Sequence, residues 1–169
     1  MNNFSVKIIP ASYYVKQSTA VIHLPAIIKP ADYQTLVTVA QSLFDDGHTQ
    51  LILDMAELSQ LNLTALFVLH RIAKIVNNQQ LTEPENGWNA LHDMADSFFE
   101  QLVVNLKLCA PQPKVAQTLK QAGFHEVMGI YSTQDQAVRA FCKTAVSAPT
   151  RPNSIPTTTA TVWQTAVLQ

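Results

Sequence analysis

Only four glycines occur in 169 residues, which leaves little of the backbone freedom that a phosphate-cradling loop uses. No GxGxxG, Walker A, HExxH or GxSxG pattern is present either, so the common nucleotide, zinc-protease and nucleophile-elbow readings have no footing. Cysteine is as scarce: Cys109 and Cys142 lack metal-ligand spacing and read as reduced core thiols in apolar surroundings. Charged residues make up 14% of the chain and nearly cancel, Lys+Arg 11 against Asp+Glu 12, so no global field points to nucleic acid or an anionic membrane. No apolar run approaches the roughly 20 residues that span a bilayer. The opening stretch MNNFSVKIIPASYYVKQ lacks a charged segment followed by an unbroken apolar one, so no signal peptide is expected. These absences predict a cytoplasmic protein without direct membrane insertion. The five histidines, His23, His48, His70, His92 and His125, are scattered singly. His70 is the most tempting, yet no carboxylate partner is evident near it in sequence. No catalytic, cofactor or metal site is expected, and the chain does not read as an enzyme.

What is present is apolar mass: 47% hydrophobic residues, enough for a real core, in a chain of one-domain length. The segment STAVIHLP, Ser18 to Pro25, alternates and is β-branched, which predicts a strand with an N-terminal partner in SVKII or SYYVKQ. Pro30 suits the first turn of a helix; Tyr33, Leu36, Ala40 and Leu43 then recur at helical spacing, and Gly47 supplies a stop. TQLILDM, Thr49 to Met55, is a short continuous apolar run of the kind covered on both faces. A second helix follows in TALFVLHRIAKIVNN, with Leu66, Leu69, Ala73 and Val76 on one stripe. Val103 to Cys109 reads as another strand, PKVAQTLKQAG as a third helix closing at Gly123, VMGIYST as a last strand and QDQAVRAFCKTAV as a last helix. This alternation predicts an α/β domain over residues 1–145, with a mixed or mostly parallel sheet of about four to five strands and helices packed on it.

Two pieces break the rhythm. The insertion, about residues 78–101, is long for a connection, and Trp88, Leu91, Ala95, Phe98 and Leu102 predict an extra amphipathic helix, packed on the domain or presented to something else. The tail, residues 146–169, carries three prolines within APTRPNSIP and a threonine run, which predicts a flexible segment whose apolar end has the makings of a docking strand.

The succession STAVIHLPAIIKPADYQTL, TQLILDMAELSQLNLTALFVLHRIAK and LKLCAPQPKVAQTLKQAGFHEVMGIYSTQDQAVRAF resembles the STAS domain of anti-sigma factor antagonists, over about Ser18 to Phe141. The resemblance implies a non-enzymatic regulator that binds an anti-sigma factor, often a serine-kinase-like protein, and works by partner switching. In such domains phosphorylation at the start of the helix after the central strand, in a pattern near Asp-Ser-Ser/Thr-Gly-Leu, breaks the complex. At that place this chain reads Asn62-Leu63-Thr64-Ala65-Leu66. By the resemblance, leucine replaces the usual acceptor serine, and only Thr64 keeps a hydroxyl. Lys29 stands where the family has an acid after its first long strand.

Lys29, Asn62, Leu63, Thr64 and Ala65 are therefore the expected partner-binding residues, and Thr64 is the remaining candidate for phosphorylation. Three readings of Thr64 stay open: a displaced acceptor, a capping hydroxyl, or plain burial. Asn62 is the other candidate cap. An alternative function is an accessory STAS subunit of an ABC-type lipid transport complex, and a third is an enzyme or small-ligand protein whose extra helix closes a pocket.

Overall fold

The computed structural model describes residues 4–11, 17–79 and 102–144. The expected extra helix at Trp88 to Leu102 lies outside them except for its last residue, and the tail, residues 146–169, lies outside them entirely.

Five strands form one mixed sheet in sequential order. β1 (Ser5–Ile9) runs antiparallel to β2 (Thr19–His23), with Ser5 opposite His23 and Ile9 opposite Thr19. β3 (Gln50–Asp54), β4 (Val103–Cys109) and β5 (Met128–Tyr131) continue from β2 in parallel. SVKII is thus the N-terminal partner strand. Each parallel step needs a crossover, and keeping one hand while the order stays sequential puts every crossover on the same face. That face is built by α1 (Pro30–Asp45), α2 (Leu63–Val76), α3 (Pro113–Gln121) and the single turn α4 (Phe124–Val127). The last helix, α5 (Gln134–Thr144), covers the opposite face.

The two faces bury unequal cores. Ala20, Ile22, Leu51, Leu53, Leu106 and Leu108 point towards the crossover helices and meet Leu36 and Ala40 of α1 and Leu69 and Ile72 of α2. Val21, Ile52 and Cys109 point the other way, under Ala137 and Phe141 of α5. Leu51, Ile52 and Leu53 are all fully buried, which is why the central run shows no polar alternation.

The helix signals hold in detail. Leu36 and Ala40 of the expected α1 stripe are fully buried and Tyr33 and Leu43 partly so, while Gly47 takes φ +91 just past the helix end. At the end of α2, Asn78 adopts φ 53, a left-handed stop that asparagine tolerates.

The third helix closes as expected: it ends at Gln121, and Gly123 at φ 76 is its left-handed stop. Phe124 to Val127 then form a separate turn before β5 that carries Phe124 and Val127 into the core. One expectation needs correction. Cys142 is only half-buried, since it lies at the flank of α5, whereas Cys109 is fully enclosed.

Candidate functional site

Two loops meet where β2 and β3 hand over to their helices. The loop after β3 reaches the loop after β2 through Ser59, whose backbone N–H and hydroxyl both donate to the Ala26 carbonyl at 2.9 Å. Asn62 makes the second tie. Its Nδ2 donates to the Ile28 carbonyl at 2.8 Å, and its Oδ1 accepts from the Ala65 N–H at 2.8 Å. One amide side chain thereby caps α2 and clamps the entry to α1. The α1 entry is secured separately, by the Lys29 N–H donating to the Asp32 carboxylate at 2.9 Å.

The expected site residues separate by role. Asn62 is the cap of α2, so the capping hydroxyl reading of Thr64 is set aside: Thr64 lies one residue inside the helix, half-buried. Ala65 is fully buried and offers the site only its N–H. Leu63, the first helical residue, is 55% exposed, and Lys29 is exposed beside it on the clamped loops. Ile27, which sequence reasoning passed over, is 44% exposed. In "AIIKP" the two isoleucines look alike, but the turn sends Ile28 into the core and Ile27 outward. The result is a surface with two large apolar side chains and one cation, held on hydrogen-bonded loops.

A second feature lies next to it. His23 and Asp54 are opposite one another at the ends of β2 and β3, with Nδ1 3.0 Å from Oδ2. They line an open cavity of about 390 Å³ together with Phe4, Ser5, Leu24 and Glu57. Asp54 also accepts from the Ala56 N–H at 3.0 Å, which brackets the turn leaving β3. Only strand register brings this pair together; 31 positions separate the two residues in sequence. Cys109 follows in register beside Asp54. Burial, with the Asp54 charge adding to it, pushes its thiol up to about 12, so it stays protonated and unreactive.

His70 has become part of the core. It is 6% exposed on α2, and burial first, with Lys74 and Arg71 adding, lowers its pKa to about 4. At neutral pH it is an uncharged core side chain.

Against solved structures the whole arrangement has clear counterparts. A protein from Thermotoga maritima taken to be an anti-sigma factor antagonist superposes with a TM-score of 0.53 over 79% of this chain and 90% of its own, at 14% identity. A STAS-domain anti-sigma-factor antagonist from Planctomyces limnophilus gives a TM-score of 0.53 over 80% of this chain and 97% of its own, also at 14% identity. The chain has the STAS fold. No family sequence model matches it, and no curated protein does so. At 14% identity the likeness shows the fold through backbone geometry, and it passes no residue roles to this chain. Among the described residues no helix is long and apolar enough to cross a membrane.

Proposed function

We propose that the chain is a non-enzymatic regulator of the anti-sigma factor antagonist type, working in the cytoplasm. It binds an anti-sigma factor or related serine-kinase-like protein through Ile27, Lys29, Leu63 and Thr64. The observation that carries this reading is Leu63, exposed at the first position of the helix after the central strand. An apolar side chain held there by a capped helix is suited to fill a partner pocket, and a few well-packed residues near the centre of an interface carry most of its affinity.

Leucine carries no hydroxyl, so the contact is not switched off by phosphorylation at that position. A phosphate there would add about −1.5 to −2 charge to a surface that must desolvate, which is how such a switch would otherwise act. Lys29 adds a positive charge beside the apolar contact and favours an acidic patch on the partner.

The test is affinity capture of tagged full-length chain from its own cells. A histidine-kinase-like ATPase recovered in stoichiometric amount supports the proposal. A co-purifying ABC ATPase instead would replace it with the accessory-subunit role in lipid transport.

A further inference from the structure

On the face away from the crossover helices, Lys107 occupies a position that its chemistry does not favour. It sits in β4 between Ile52 of β3 and Gly129 of β5, and it is 6% exposed. Among the described residues no carboxylate forms an ion pair with it. Its Nζ lies 5.1 Å from the centroid of the Phe141 ring on α5. The ring steadies the amine but replaces only part of the hydration that an ammonium loses on burial. Burial accordingly pushes the Lys107 pKa below the usual lysine value.

The surroundings are shaped around this amine. β4 and β5 are in register at Val103–Met128 and next at Lys107–Gly129, so four steps along β4 correspond to one along β5. Such irregularities re-aim side chains and open a sheet locally. A cavity of about 310 Å³ lies here, lined by Lys107 with Val103, Val104, Val127, Met128 and Tyr131. Gly129, directly opposite Lys107, is what lets the Tyr131 ring fold back: a Cβ at Gly129 would stand 2.6 Å from Tyr131 Cε2 and 2.7 Å from its hydroxyl. The cavity is therefore mostly apolar, and Lys107 and Tyr131 are the lysine and phenol among the residues that line it. His125 and Glu126 lie at its rim, both exposed and 3.9 Å apart.

We propose that Lys107 is the nucleophilic amine of a carbonyl-binding site, which takes a small apolar aldehyde or ketone into this cavity as an imine. The Nζ lone pair forms a bond to the carbonyl carbon as the C=O π pair moves onto oxygen, and one Nζ proton passes to that oxygen to give a neutral carbinolamine. Loss of that oxygen as water leaves a C=N bond to Nζ, so the step consumes no oxidant or reductant. A desolvated lysine amine favours this chemistry because more of it is unprotonated at neutral pH than of a surface lysine. Tyr131 supplies a hydroxyl able to relay the proton. Lys107 and Tyr131 belong to the face covered by α5, whereas Val103, Val127 and Met128 come from the crossover-side core, so the cavity opens at the β4–β5 irregularity. None of Ile27, Lys29 and Leu63 lines it, so the step is independent of the partner-binding role.

The experiment exposes full-length chain at neutral pH to butanal with limiting sodium cyanoborohydride, which traps the imine as a butyl amine. Peptide mass spectrometry then gives the alkylation rate at every lysine. Lys107 should react about tenfold faster than the exposed Lys29, Lys114 and Lys120, and this preference should vanish in chain unfolded by urea. Lys107→Arg, which keeps a cation over the Phe141 ring, should remove the dominant early adduct. A Lys107 rate equal to or below those of the surface lysines, or an undiminished early adduct in Lys107→Arg, overturns the proposal.

Discussion

Asn62 is the residue on which the candidate surface depends, because one amide group both caps α2 and holds the Ile28 carbonyl. Asn62→Ala loses both bonds and should cost about 1–2 kcal/mol in urea denaturation. Asn62→Asp keeps the acceptor for the Ala65 N–H but loses the donor, so it should cost less than Asn62→Ala. An equal cost would mean that the cap carries none of the effect. Leu63 behaves differently. Its side chain is exposed, and an aspartate at the first helical position faces the positive end of the helix dipole, so Leu63→Asp should leave stability within about 0.5 kcal/mol of the wild type. That makes it a clean probe of binding. Asn62 was legible as a candidate cap because helix-start chemistry is local, whereas Leu63 and Lys29 were singled out only by the resemblance to the STAS pattern. The sequence did not reveal Ile27, whose exposure depends on a turn that separates two identical neighbours.

At the scale of elements, α2 is more deeply enclosed than a single apolar stripe implies. Ala65, Val68, Leu69, His70, Ile72, Ala73, Ile75 and Val76 are all buried, because the helix packs on α1 as well as on the sheet. His70 is the polar member of that set and gives α2 a pH dependence. Its folded pKa, about 4, lies below the ordinary histidine value of 6.5, so the unfolded chain binds the proton more readily. The contribution is fully present above about pH 6.5 and is lost as pH falls through 4, a change of roughly 3 kcal/mol. Urea melts at neutral pH and near pH 4.5 should show wild type losing more stability than His70→Leu across that interval. Parallel loss in both chains would place the acid sensitivity elsewhere. Strand and helix periods were legible because each is set by near neighbours, two positions away in a strand and three or four in a helix. The His23–Asp54 pair and the irregular β4–β5 register were not, since both arise only when strands from distant parts of the chain align.

For the whole molecule, the fold divides its labour between two faces. The crossover helices build the large core and bring the helix starts of α1 and α2 to one end of the sheet, where Ile27 and Lys29 are exposed on the clamped loop and Leu63 on the first turn of α2. α5 closes the other face over a smaller cluster that includes Lys107 and Cys109. Order of elements was readable from the chain; the separation of the two faces needed the sheet. The central claim is that Leu63 is a permanent contact that phosphorylation does not govern. The most direct measurement captures partners in parallel on tagged wild type and Leu63→Asp from the same cells, with intact-mass analysis of each bait. The account predicts a kinase-like partner on wild type, at least about tenfold less of it on Leu63→Asp, and no phosphate on the bound bait. Equal capture by both chains, or stoichiometric phosphate on Thr64 that weakens capture, would contradict it.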